Sequence, residues 1–256
     1  IDIGIVRSIP SISRFSVEVN GQAGHSGTIL MDQRADALVT SSEIIKFVNK
    51  LASRLAKESN QHFVSTIGKI NVHPNAAAII PGKVEMTIDL RASSKSSRDQ
   101  YIKELEKQVE TMNQSGPCKI KMKNIAFAPY VEMDKELVKL FKISSDEYGF
   151  SNIIMDSGAG HDTAHLSRVA PASMIFVPCM DGLSHCPEEY AEISDISKGT
   201  SVLFKMVEKL ALIKKMKLKN SWYTKESKCL VATDMLTLTM RRKTNANSKR
   251  SKGIHC

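Results

Sequence analysis

Ile12-Ser-Arg-Phe15-Ser-Val17-Glu-Val19-Asn20 alternates apolar and polar side chains, the period-two pattern of a strand with one buried face. A turn-like stretch, Gly21–Gly27, follows it. Asp36–Lys57 then places Ala37, Leu38, Ile44, Ile45, Val48, Leu51 and Leu55 at helical spacing, with Asp36 suited to cap the helix. Two strand-like runs come next, His62–Val72 and, after the breaker Pro81-Gly82, Lys83–Arg91. Ser97–Met112 carries Tyr101, Ile102, Leu105 and Val109 on one helical stripe, and Lys119–Phe127 alternates again through Ile120 and Met122. The order is βαββαβ, which predicts a ferredoxin-like sandwich over about residues 10–128, bounded by Pro10 and Pro129.

The block over residues 129–212 has another grammar. It reads as helix Asp134–Tyr148, strand Asn152–Asp156, short helix His161–Val169, all-apolar strand Ser173–Pro178 and helix Ile193–Leu212. Alternating α and β with a fully apolar strand predicts part of a parallel sheet covered on both faces. Two visible strands are too few for such a sheet, so the block is either a small appendage or, as the favoured reading, part of a sheet whose remainder lies outside this chain. Residues 1–9 read as the end of a preceding segment or a linker. Residues 213–256 read as a basic, disordered tail, because from about Asn220 onward no periodic pattern survives.

Composition narrows the function. At 256 residues, with 42% hydrophobic and 25% charged, the chain is neither disordered nor fibrous in character. Its longest apolar runs, such as Ala76–Pro81 and Met174–Pro178, are too short for a membrane span, and no signal-peptide pattern opens it. A soluble protein with no membrane association is expected. The net charge of +9 suggests nucleic acid, but 12 Lys and Arg lie from Lys214 onward against only Glu226 and Asp234. The rest is close to neutral, and one Trp with five Tyr offers few stacking platforms. This balance argues against nucleic acid except through the tail. Five scattered cysteines without a C-x-x-C pair predict a reducing, cytoplasmic setting.

The densest polar cluster is Ser157-Gly-Ala-Gly160-His161-Asp162-Thr-Ala-His165, followed by Gly182-Leu-Ser-His185-Cys-Pro-Glu188-Glu189. Three readings compete. His161 and His165 could form an i, i+4 metal pair like H-E-x-x-H, although Asp162 is short for the general base. His161 and Asp162 could simply cap a helix, with His165 solvated. His185 could be a single metal ligand whose partners lie elsewhere. A weaker candidate is His25 within Gly24-His-Ser-Gly27, where glycines let the backbone approach a ligand. Arg91, ending Asp89-Leu-Arg91, reads in isolation as a surface charge paired with Asp89 or Glu85.

Together the pieces resemble a known family. Gly21-Gln-Ala-Gly-His25-Ser-Gly-Thr, Met31, Arg34-Ala-Asp36-Ala, Pro74-Asn75, Ile80-Pro-Gly82, Asp89-Leu-Arg91, Ser157-Gly-Ala-Gly-His161-Asp162, Met174-Ile-Phe-Val-Pro178 and Gly182-Leu-Ser-His185 with Glu188-Glu-Tyr190 occur in that order. They resemble the binuclear-zinc amidohydrolases that comprise N-carbamoyl-L-amino-acid, allantoate and ureidoglycolate amidohydrolases, relatives of zinc aminopeptidases and aminoacylases. The resemblance covers residues 1–212. It implies an α/β class: a ferredoxin-like βαββαβ dimerisation domain plus the C-terminal part of a zinc-peptidase-like α/β catalytic domain.

The resemblance also implies roles. His185 would be a metal ligand, with two zincs per site in the intact family and manganese as an alternative. His25 would be catalytic and substrate-binding, reaching a partner subunit's site in a homodimer to stabilise charge on the substrate carbonyl. Arg91 would hold the substrate carboxylate, Gly160 would line the pocket, and Asn75 would contact substrate. The family's second asparagine in P-N-x-x-N is Ala78 here. Its other metal ligands and its general-base glutamate would precede residue 1. The expected activity is hydrolysis of linear C–N bonds in small N-carbamoyl or ureido acids. In this chain it would be truncated, with little activity alone. The alternative is a non-catalytic dimerisation or binding module.

Overall fold

The computed structural model describes residues 1–59, 61–184, 186–219 and 252–253. In chain order it contains β1 (Ile3–Ile9), β2 (Ser11–Asn20), β3 (Gly24–His25), α1 (Ala37–Ser59), β4 (Phe63–His73), β5 (Ile79–Ile80), β6 (Lys83–Ala92), α2 (Lys95–Ser115) and β7 (Lys119–Ala128). It continues through β8 (Val131–Glu132), α3 (Lys135–Glu147), β9 (Asn152–Asp156), α4 (Thr163–Leu166), β10 (Met174–Phe176), β11 (Cys179–Met180), α5 (Ile193–Lys219) and β12 (Lys252–Gly253). The chain divides into two compact units, Pro10–Tyr130, and Ile1–Ile9 with Val131–Cys256.

The Pro10–Tyr130 unit is an antiparallel sheet in the order β4-β6-β2-β7 with two helices. Strand alternation decides which face the helices cover. Phe15, Val17 and Val19 of β2 pair with Ile88, Met86 and Val84 of β6, and all six are buried. Ile44, Val48, Leu51 and Leu55 of α1 join that core, as do Tyr101, Leu105, Val109 and Met112 of α2. The intervening residues of β2 and β6 turn to the opposite face, which is polar and charged. Each helix starts on a side-chain cap. Asp36 accepts from the Leu38 and Val39 amides at 2.8 and 3.1 Å, and Ser94 accepts from the Ser97 amide at 3.3 Å.

In the other unit β1 is central. Residues 1–9, expected as the end of a preceding segment or a linker, form a buried strand grouped with residues 131–256, with Ile3, Ile5 and Val6 fully enclosed. Its apolar run is near-continuous because both faces are covered. Ile3 and Ile5 pack with Phe141 of α3 and with Val202 and Met206 of α5, whereas Val6 and Ile9 pack with Met133, Met174 and Phe176. The sheet is mixed rather than parallel. β9 runs parallel to β1, while β10 and β8 run antiparallel to it.

Two further expectations change. The helix expected over His161–Val169 shrinks to the single turn α4, and α5 runs past Leu212 to Lys219. The expected disordered tail lies largely outside the described residues, although Lys252–Gly253 pairs antiparallel with β11. Among the described residues no helix is long and apolar enough to cross a membrane.

Candidate functional site

His25 sits in a turn closed at its base by backbone hydrogen bonds. The Gln22 amide donates to the Ala35 carbonyl at 2.8 Å, and the Gly21 amide to the Gly82 carbonyl at 2.9 Å. Gly21 is needed there, since a Cβ would stand 2.0 Å from the Ala35 oxygen. β3 pairs with β5, setting His25 opposite Ile79, and the Ser26 amide donates to the Ala78 carbonyl at 3.0 Å. The loop carrying Asn75 is thereby brought beside the histidine turn. Asn75 itself is exposed and has φ +57°, a left-handed conformation that asparagine tolerates.

The His25 ring is exposed, and the Gly27 amide donates to its Nδ1 at 3.0 Å. An Nδ1 that accepts must lack a proton, so the neutral ring carries its hydrogen on Nε2. That leaves an outward N–H donor on an exposed turn. Arg34 braces the same turn from inside. Its Nη2 donates to the Ser26 carbonyl at 2.7 Å and to the Ile29 carbonyl at 2.9 Å, and its Nε reaches Ile29 at 3.1 Å. The sequence marked Arg34 only as part of a motif; its contacts need the folded turn.

Arg91 occupies the polar face of the four-stranded sheet, at the end of β6 remote from Lys83. It lies eight residues along β6 from Lys83, about 26 Å of strand away from the His25 turn. Its Nε donates to Asp89 Oδ1 at 2.9 Å, and Arg14 Nε donates to Asp89 Oδ2 at 2.8 Å. Glu85, the other expected partner, pairs instead with Lys83 and His73. The structure thus gathers His25 and the Asn75 loop but sets Arg91 apart from them.

In the second unit, Gly160 is exposed in the loop between β9 and α4. Ser157 anchors this loop. It is fully buried, its amide donates to the Ser8 carbonyl at 2.8 Å, and its Oγ donates to the Ala159 carbonyl at 2.7 Å. His161 precedes α4 and packs its ring 5.5 Å from that of Phe176. It is not on the helix, so His161 and His165 do not form the i, i+4 pair of an H-E-x-x-H motif. The capping alternative also changes, because Asp162 makes no side-chain capping bond. The expected metal ligand His185 lies outside the described residues. Among the described residues no three His, Cys, Asp or Glu side chains gather to hold a metal ion.

Comparison with known proteins gives the family. A model of peptidase family M20/M25/M40 matches residues 22–209. The N-carbamoyl-L-amino-acid amidohydrolase of Pseudomonas sp. (strain NS671) is 37% identical over 208 residues, 81% of this chain and 49% of that protein. The allantoate amidohydrolase of Bacillus subtilis (strain 168) is 35% identical, over 82% of this chain and 50% of its own. The crystal structure of an amidase of the hydantoinase/carbamoylase family from Burkholderia multivorans superposes with a TM-score of 0.74 at 30% identity, covering 80% of this chain and 49% of that one. The chain therefore spans about half the length of the curated relatives it matches. With most of its length under the family model and this fold beneath it, the chain belongs to peptidase family M20/M25/M40.

Proposed function

We propose that this chain carries the substrate-holding half of a metal-dependent hydrolase of linear C–N bonds in N-carbamoyl amino acids or allantoate-like ureido acids. The observation that carries the reading is the His25 turn, where an accepting Nδ1 leaves an exposed Nε2–H donor within a family whose relatives are named for such substrates. An N–H donor aimed at a carbonyl becomes more favourable as negative charge develops on the oxygen, and this is the oxyanion role. Asn75, on the adjoining loop, would contact the same substrate. Arg91 suits a carboxylate, since a planar guanidinium can offer two parallel N–H donors. Gly160 would line the pocket with backbone.

The distance between His25 and Arg91 supports a homodimer. A small acid cannot touch both from one copy, so His25 and Asn75 would serve one site and Arg91 another. The Pro10–Tyr130 unit would then be the ferredoxin-like dimerisation domain that carries residues to both. The described residues do not by themselves fit a zinc or manganese centre. In this reading the metal chemistry belongs to residues beyond them, with His185 as one ligand. A cytoplasmic setting accords with the scattered cysteines.

The test fuses this chain to the half of the Pseudomonas relative that it does not match, then assays N-carbamoyl amino acids, allantoate and ureidoglycolate. His25→Ala should lower kcat by roughly a hundred- to a thousand-fold, as loss of an oxyanion donor does elsewhere. Arg91→Lys should mainly raise KM, because the ammonium keeps the charge and loses the fork. Mixing His25→Ala with a metal-site knockout should restore activity although each parent is dead. Heterodimers that form yet stay inactive would show that His25 does not act across the dimer.

A further inference from the structure

The geometry points to Arg34 as the positioning residue that holds the His25 imidazole with Nε2–H outward. The backbone bonds of the turn itself are long. The Thr28 and Ile29 amides both reach the His25 carbonyl at 3.3 Å. Arg34 supplies the short ones, at 2.7, 2.9 and 3.1 Å, from a charged donor to carbonyls on either side of Gly27-Thr28. Charge-assisted hydrogen bonds are roughly twice as strong as neutral ones, so the guanidinium dominates the local balance.

The consequence reaches His25 through one atom. The Gly27 amide donates to Nδ1 only while the peptide between Ser26 and Gly27 keeps its orientation, and the Ser26 carbonyl belongs to that same planar peptide. Arg34 grips the oxygen of the peptide whose nitrogen grips the ring. Releasing the oxygen lets the peptide rotate, and the amide then leaves Nδ1. Lysine cannot replace this grip. One ammonium on a flexible stem cannot hold the Ser26 and Ile29 carbonyls in the fixed plane that a guanidinium presents.

The role in catalysis rests on the reading of His25 as a donor to substrate, but the positioning itself can be read without substrate. The experiment uses the ¹⁵N-labelled full chain and measures the scalar coupling across the hydrogen bond from the Gly27 amide nitrogen to His25 Nδ1. Hydrogen exchange of every amide in the Pro10–Tyr130 unit is followed alongside. The wild type should show the coupling. Arg34→Lys and Arg34→Ala should lose it, and their Gly27 amide should exchange about tenfold faster or more, as loss of a hydrogen bond to a charged group predicts. Amides of β2, β4 and β6 should exchange at wild-type rates. Retention of the coupling in both variants overturns the proposal, as does its absence in the wild type. Loss of protection across the whole unit, or failure of both variants to fold, would assign Arg34 to general stability and also overturn it. Because the coupling reports the turn alone, such a failure leaves the functional reading to the subunit-mixing result.

Discussion

Asp89 stands on the polar face of its sheet with its side chain 27% exposed, between the guanidinium groups of Arg14 and Arg91. Burial pushes its carboxyl up, but the hydrogen bonds from Arg14 and then Arg91 outweigh this and hold it below the ordinary value of 3.8. The sign of the pH effect follows. A carboxyl whose folded value is depressed stabilises the fold above about pH 4, and that contribution is lost as pH falls through the folded value. Asp89→Asn should therefore lower the urea midpoint at pH 7 and close the gap to wild type progressively below pH 4. Midpoints at several pH values check this, and a gap that stays constant into acid would mean that Asp89 matters through packing rather than charge. Asp89 also holds the Nε edge of Arg91, at 2.9 Å.

At the scale of elements, the base of the turn that presents His25 has room only for glycine at position 21. A Cβ at Gly21 would sit 2.0 Å from the Ala35 carbonyl oxygen and 2.9 Å from its carbon, and backbone cannot give way as a side chain can. Gly21→Ala should cost about 2–3 kcal/mol, in the range of overpacked sites. Gly68, at the irregularity of β4, would have nothing within 4 Å of an added Cβ, so Gly68→Ala should change stability by about 0.5 kcal/mol or less. Equilibrium denaturation of the pair separates a steric requirement from a general dislike of larger residues. The same contrast explains what was legible in the sequence. The stripes of α1 and α2 and the alternation of β2 and β6 showed because one face of each is buried over many residues. β1 was missed because it is buried on both faces and so has no period. β3 and β5 are two residues each, too short to carry a pattern, and α4 was overextended because polar loop residues around it mimic caps. The pairing of Arg91 with Asp89 was readable, since i and i+2 share a strand face. Arg14 joins them only through register, and the Arg34 contacts only through the folded turn.

The whole molecule is organised by one insertion. Ile12 pairs with Ala128 near the two ends of the Pro10–Tyr130 unit, and Ile9 pairs with Val131 at the break in the other unit, each on antiparallel strands. A unit whose ends meet can be placed within another without disturbing either core, because its host sees only a closed loop. Each unit here also has its own core: Phe15, Val17, Ile88, Leu90, Tyr101 and Leu105 in one, and Ile3, Ile5, Phe141, Val202 and Met206 in the other. Folding should follow this division. An excised fragment of residues 10–130 should fold by itself, since its sheet and both helices close their core without help from outside. It should unfold cooperatively in urea, with coincident transitions by circular dichroism and by fluorescence of a Tyr or an added Trp. His25, Asn75 and Arg91 all lie on this fragment, so the Gly27 amide should show the same protection there as in the full chain. A fragment that is helical yet lacks a cooperative transition would show that the two units are not independent in stability, and that His25, Asn75 and Arg91 need the rest of the chain to be set in place.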